Sequence, residues 1–288
     1  MRNNIGGVFK QVEDPLKQGG IYHPAARQMN ILIVEDDPLS QKLLELILKD
    51  TGYPVKFVDN GLDAVQMVKS HEFGLVLMDI QMPLMDGLEA TRRIRAWEKG
   101  ETHITIIGLT AIIDSAYTNC LQAGMDDIIS KPFDNKKLQA IIRERMGLKI
   151  NVTEKTTDAQ DRQKDEYPIL DVQGAVKRFA GDQENYADLL KEFTLSLPDK
   201  FDELLTAYKT GNWQTISSRA HNLKGLSASF GAMDLSRKYH ELDQLVNGTE
   251  YGRIIQKLDE INICIQNLKT ETMTFFKRIS DIQGNSIS

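Results

Sequence analysis

The chain has 288 residues, 41% of them apolar and 26% charged, with a formal net charge of −6. That length allows about two domains, each with a real core. The acidic balance shows no concentrated basic face, so nucleic acid is not an expected partner. Two cysteines, Cys120 and Cys264, exclude a disulfide scaffold and a cysteine metal site, and suit a reducing, cytoplasmic setting. The longest apolar run, 104–113, is interrupted by Thr105, Gly108 and Thr110 and reaches about half a membrane span, so no direct membrane insertion is expected. The N-terminus lacks the long apolar core of a secretory signal.

In chain order, residues 1–28 are rich in Gly, Asn, Gln and Pro without periodicity and read as a disordered tail. Met29 offers a second possible start of translation. From 29 to 147, short apolar runs at 31–34, 55–58, 75–78, 105–109 and 127–130 read as buried strands. Helical patterns lie between them at 38–50, 61–70, 87–99, 114–123 and 134–146. Five βα units imply an α/β domain with a five-stranded, doubly wound parallel sheet, whose function gathers at the carboxyl ends of the strands. Residues 148–166 carry almost no large apolar side chain and read as a flexible linker with an rms reach of roughly 25 Å. From 167 to 277 the texture is helical, with breaks at Gly181, Pro198, Gly211-Asn212, Gly231 and Asn247-Gly248. This predicts an all-α bundle of one short and four or five longer helices. Residues 278–288 read as a frayed end.

Several acidic residues have structural explanations. Asp37 precedes Pro38 as an N-cap, Asp86 stands three before Glu89 as in a capping box, and Asp114 and Asp134 precede helices. Asp126 and Asp127 enter the last strand and read as solvated or structural. Glu35, Asp36 and Asp79 remain, all at strand ends and claimed by no helix start. Taken alone, three unrelated strand-end acids would explain them equally well. Brought into one cleft they would repel, and a hard divalent ion, Mg²⁺, would resolve the repulsion. Thr110 and Lys131, at two further strand ends, offer a hydroxyl and a cation to phosphoryl oxygens. Lys131-Pro132 invites a cis peptide that aims the lysine inward.

The stretches ILIVEDDP, LMDIQMPLMDGLEATRRIR, IIGLTA and GMDDIISKPF resemble a response-regulator receiver domain over residues 30–147. The resemblance implies a flavodoxin-like fold with Asp79 as phosphoacceptor. It places Glu35 and Asp36 in the Mg²⁺ site, completed by the backbone carbonyl of Gln81, and Thr110 and Lys131 against the phosphoryl group. The family usually places Tyr or Phe three residues before the lysine; here that residue is Ile128, which puts aromatic-switch signalling in doubt.

A helix over about 212–230 carries the apolar stripe Ile216, Ala220, Leu223, Ser227 and Phe230, and turns His221 away from it. His221 therefore faces out of the bundle among the small residues Ser217, Ser218, Gly225 and Ala228, open to something as bulky as another domain. Lys224 lies one turn on. The segment RAHNLKGLSASFGAMDLS resembles a histidine phosphotransfer (HPt) domain, which implies His221 as the phosphorylated residue with Lys224 and Gly225 supporting it. His23, His71, His103 and His240 show no ligand spacing and read as surface or structural.

A phosphatase of the haloacid-dehalogenase type would need an acid two residues after Asp79, where Gln81 stands. An autokinase would need glycine-rich ATP-lid boxes, which the sequence lacks, so whether the chain is itself an enzyme stays open. The expectation is a phosphorelay protein whose receiver takes a phosphoryl group from a histidine kinase and whose HPt domain exchanges one with a downstream response regulator or other phosphorelay protein. Two alternatives are the carboxy-terminal part of a hybrid sensor kinase, and a phosphorylation-controlled docking switch with the HPt domain as phosphate sink.

Overall fold

Five short strands carry the amino-terminal half of the protein in its computed structural model, which describes residues 30–98, 103–111, 113–146, 168–179 and 181–285. The tail expected at 1–28 and the linker expected at 148–166 lie outside the described residues. The strands are β1 (Asn30–Val34), β2 (Val55–Val58), β3 (Phe73–Asp79), β4 (Thr105–Thr110) and β5 (Asp127–Ser130), all parallel, in the order β2-β1-β3-β4-β5. Alternation decides which side each residue serves. Ile31 and Ile33 face α1 (Pro38–Leu48) and α5 (Asn135–Arg145), whereas Leu32 and Val34 face α2 (Gly61–Ser70), α3 (Gly87–Trp97) and α4 (Ile113–Ala123). Both faces are covered, which is why the central strands are apolar without interruption. The strand order reverses between β1 and β3, and the crevice above their carboxyl ends is where such sheets place their ligands.

The caps form largely as expected. Asp37 accepts from the amides of Leu39 and Ser40, Asp86 from that of Glu89, and Asp134 from that of Lys137. The Asp86 capping box is only half made, because Glu89 reaches to Arg93 one turn on instead of back to residue 86. The side chain of Asp114 lies outside the described residues. Asp126 is structural: it accepts from Arg95 at 2.7 Å and from the Ile106 amide at 2.8 Å.

The carboxy-terminal half is helical: α6 (Val172–Arg178), α7 (Gln183–Lys209), α8 (Trp213–Ser229), α9 (Met233–Asn247) and α10 (Ile254–Asn285). Two expectations are corrected. The break at Pro198 does not occur; α7 runs through it. Proline inside a helix costs about 3 kcal/mol. Leu190, Phe193, Leu197, Phe201 and Leu204 form one buried stripe across the position, and each such side chain is worth about 1.5–3 kcal/mol. The stripe outweighs the break. The frayed segment expected from 278 is helical as far as Asn285. The apolar residues just before it continue the pattern, with Phe275 edge-on to Tyr186 at 6.1 Å. Gly231 makes the α8–α9 turn with φ +83°, and a Cβ there would stand 2.4 Å from the carbonyl oxygen of Asp171, so the left-handed turn and the close approach both require glycine.

The two halves are packed together. Helix α1 lies against α7, where Lys42 pairs with Glu192 at 2.5 Å and Lys200 pairs with Asp37. Helix α8 lies over the strand ends, and the core of the α1–α5 side runs on into the bundle.

Candidate functional site

Three carboxylates meet at the switch point. Glu35 and Asp36 follow β1, Asp79 ends β3, and one oxygen of each lies within 4.8 Å of the others. Glycine at the start of α3 makes this possible: a Cβ on Gly87 would fall 2.1 Å from the backbone oxygen of Asp79, so only glycine lets the helix approach the strand end. Lys131, just after β5, reaches into the cluster and donates to Glu35 Oε2 at 2.7 Å and Asp79 Oδ2 at 2.9 Å. The Lys131-Pro132 peptide is cis. Thr110 is buried at the end of β4, one residue past Leu109, which faces Asp79 across the β3–β4 ladder.

Electrostatics follow from crowding. Burial, then repulsion from Asp79, pushes the Asp36 carboxyl up to about 6, against the opposing pull of Arg219. Glu35 is raised by its complete burial, which one shared lysine only partly offsets, and by Asp79 beside it. Burial alone would lower the Lys131 pKa, but Asp79 and Glu35 outweigh it and keep the ammonium charged. Lys131 inside the cluster and Arg219 at its edge oppose three crowded acids, whose donor atoms are hard oxygens. That donor set fits a small divalent ion.

The helical half closes over this cleft. His221 leaves its own helix pointing away from the bundle core, as its spacing predicts, yet it is only 6% exposed because the strand ends cover it. The Ala111 amide donates to His221 Nε2 at 3.4 Å, and Lys224 Nζ donates to the Ala111 carbonyl at 2.8 Å. Burial lowers the His221 pKa and favours neutral imidazole. Gly225 sits against the stem of Lys131: a Cβ there would be 3.2 Å from Lys131 Cβ. Of the other small residues expected around the histidine, Ser217 is tied to Asp243 and Ala228 is buried.

Residues not singled out from the sequence complete the contact. Asn222 Nδ2 donates to Asp36 Oδ1 at 3.0 Å and to the Gln81 carbonyl at 3.3 Å, while Arg219 Nη1 reaches Asp36 Oδ2 at 3.4 Å. The Gln81 carbonyl thus lies at the edge of the acidic cluster. Arg219 and Asn222 are three apart and share a helix face, a spacing that marks a polar face without naming its partner. Lys200 and the second role of Asp37 have no sequence signal. Ile128 is half-buried and packs into the α2–α4 side of the core. Cys120 and Cys264 are free, buried thiols. Among the described residues no helix is long and apolar enough to cross a membrane.

Comparison with known proteins is consistent with this architecture. Residues 31–143 match the response regulator receiver domain and residues 188–271 match the Hpt domain. The chain is 29% identical over 255 residues to the sensor histidine kinase GacS of Pseudomonas protegens, covering 87% of this chain and 28% of that protein. It is 31% identical over 253 residues to the sensor protein GacS of Pseudomonas syringae pv. syringae, covering 84% and 27%. The chain therefore spans little more than a quarter of the length of these relatives. A solved structure, the receiver domain of the sensor histidine kinase PA1611 of Pseudomonas aeruginosa PAO1 with a magnesium ion in its active-site cleft, is 42% identical over 41% of this chain and 98% of that one, with a TM-score of 0.39.

Proposed function

From a chain built of a response-regulator receiver domain followed by a histidine phosphotransfer domain, the pair used in phosphorelay signalling, we infer that Asp79 and His221 exchange a phosphoryl group. One observation carries this reading. His221 presents Nε2 to the receiver's strand-end loop, inside the same closed contact that holds Asp79 and Lys131. In the direction from receiver to bundle, the Nε2 lone pair of neutral His221 attacks phosphorus. The bond from phosphorus to the Asp79 carboxylate oxygen breaks, the carboxylate leaves with the electron pair, and the Nδ1 proton stays on the ring until it passes to solvent. Lys131 and Lys224 balance the phosphoryl charge from the two sides, and Thr110 offers it a hydroxyl. Such transfer is mainly positioning and charge neutralisation.

A Mg²⁺ ion would be held by Glu35, Asp36, Asp79 and the Gln81 carbonyl, and would supply charge neutralisation for the phosphoryl oxygens. The hard-oxygen donors and the convergence of the three carboxylates within 4.8 Å support this assignment. The outside partners are a histidine kinase that supplies the receiver and a second receiver that exchanges with His221. The free cysteines favour a reducing, cytoplasmic compartment. The likeness over most of this chain to hybrid sensor kinases supports a second placement, as the relay portion of such a kinase. The test is labelling with radioactive acetyl phosphate. Label should require Mg²⁺ and should vanish in Asp79→Asn. Equal labelling in excess EDTA would remove the metal assignment, and undiminished labelling of Asp79→Asn would remove the phosphoacceptor.

A further inference from the structure

The contact that covers the histidine also takes hold of two of the oxygens assigned to the ion. We propose that Asn222, assisted by Arg219, is a built-in plug of the metal site: in the docked chain its amide occupies ligands of the ion, so docking and ion binding oppose one another. This rests on the assignment of Asp36 and the Gln81 carbonyl to the metal site.

Three observations carry it. The first is shared acceptors. Asn222 Nδ2 donates to Asp36 Oδ1 and to the Gln81 carbonyl, and Arg219 takes the other oxygen of Asp36. A Mg²⁺ ion needs ligand oxygens at about 2.0–2.1 Å in a strict octahedron. A lone pair that already accepts from the amide NH₂ is one the ion cannot use, so ion and amide compete for Asp36 Oδ1 and the Gln81 carbonyl. The second is asymmetry within the side chain. Its NH₂ has two acceptors, whereas Asn222 Oδ1 is buried without a hydrogen-bond partner, as is the neighbouring Gln81 Oε1. The acidic corner alone therefore sets the amide's orientation, since nothing holds its oxygen end. The side chain also borders open space. The third is that space. A cavity of about 170 Å³ is bordered by Asp36, Lys200, Arg219 and Asn222. A second, of about 330 Å³, is bordered by Asp36, Asp86, Ser218 and Arg219. Each is several times the roughly 30 Å³ share of one water, so the corner formed by Asp36 and Arg219 has room beside it for solvent-sized groups.

The consequence is a coupling. The closed chain holds its receiver in a state of lowered ion affinity. The ion in turn weakens the closed state by the same factor, because coupling between two binding equilibria is reciprocal. A receiver engaged with its own bundle would thus bind the ion more weakly than one from which Asn222 has let go.

The test is calorimetric titration of the full chain with Mg²⁺, alongside small-angle scattering with and without the ion. Asn222→Ala should tighten Mg²⁺ binding about tenfold, the order expected for removing hydrogen bonds to a charged acceptor. Arg219→Ala should tighten it less. Asn222→Ser, which keeps a shorter polar group, covers the case in which the alanine variant does not fold. In the wild-type chain the ion should shift scattering towards a more extended particle, and in Asn222→Ala this shift should shrink. Unchanged or weaker Mg²⁺ binding by both Asn222 variants would overturn the proposal while leaving the metal assignment intact. Failure of wild type and variants alike to bind Mg²⁺ would overturn both, and Asp36→Asn supplies the non-binding reference.

Discussion

Replacing Gly225 by leucine should separate folding of the bundle from docking of the receiver. A Cβ at this position would lie 3.2 Å from Lys131 Cβ, 3.2 Å from Lys131 Cδ and 3.6 Å from Ala111 Cβ. Alanine therefore asks for a shift of a few tenths of an ångström, and it gains the roughly 0.5–1 kcal/mol by which alanine exceeds glycine inside a helix. Leucine drives three further carbons into the stem of Lys131. That stem cannot step aside, because its ammonium is held by Glu35 at 2.7 Å and Asp79 at 2.9 Å. Overpacking of this kind costs about 1–3 kcal/mol, which lowers the docking equilibrium by roughly 5- to 150-fold. Thermal melting followed by circular dichroism should show a bundle at least as stable as wild type, while transfer between Asp79 and His221 slows by that factor. A folded leucine variant that transfers at the wild-type rate would refute the placement of Gly225 under Lys131.

Three further outcomes follow from the same geometry. Lys131→Ala leaves Glu35 and Asp79 buried without their cation, so melting without divalent ion should reveal a loss of about 3–5 kcal/mol, partly restored by Mg²⁺, and transfer should be impaired; normal stability and transfer would make Lys131 a bystander. The Lys42–Glu192 pair is about half exposed on both sides, so a double-mutant cycle on docking should return less than about 1 kcal/mol, whereas Lys200→Glu, which sets a carboxylate against Asp37, should weaken docking more; equal effects would contradict the burial argument. Burial under the receiver lowers the His221 pKa. The docked state therefore binds fewer protons than the undocked one, and the histidine's contribution to docking should be full above the ordinary value of about 6.5 and be lost as pH falls through it. Because the raised Asp36 carboxyl acts in the opposite sense, the comparison is with His221→Gln, which should flatten the His221 part of the profile; an identical profile in the variant would exclude the imidazole.

Periodicity made most of the fold legible, because in both halves the buried residues follow the period of their element. Strands at 55–58 and 127–130 and the helix at 61–70 fall where the pattern puts them. Pro198 misled because a local rule about the backbone lost to a longer stripe of buried side chains, which a break-by-break reading does not weigh. The acids at the strand ends were legible because no cap or ladder claimed them, and parallel topology then forced Glu35, Asp36 and Asp79 together. Asn222, Arg219 and Lys200 were not legible. Their partners are 186, 183 and 163 residues away in the chain, and a polar residue on a helix face does not state what it will meet. The spacing of His221 showed that it leaves its bundle, and only the assembled structure shows the surface that covers it.

The central claim is that Asp79 and His221 of one chain exchange a phosphoryl group within the closed contact. The direct measurement charges the full chain briefly with radioactive acetyl phosphate and Mg²⁺, removes the donor, and follows label from the acid-stable aspartyl position to the acid-labile histidine over a hundredfold dilution series. The account predicts transfer to His221 with a first-order rate that does not change on dilution and that is absent in His221→Gln. A rate proportional to protein concentration, or aspartyl label that decays to inorganic phosphate without ever reaching His221, would contradict it.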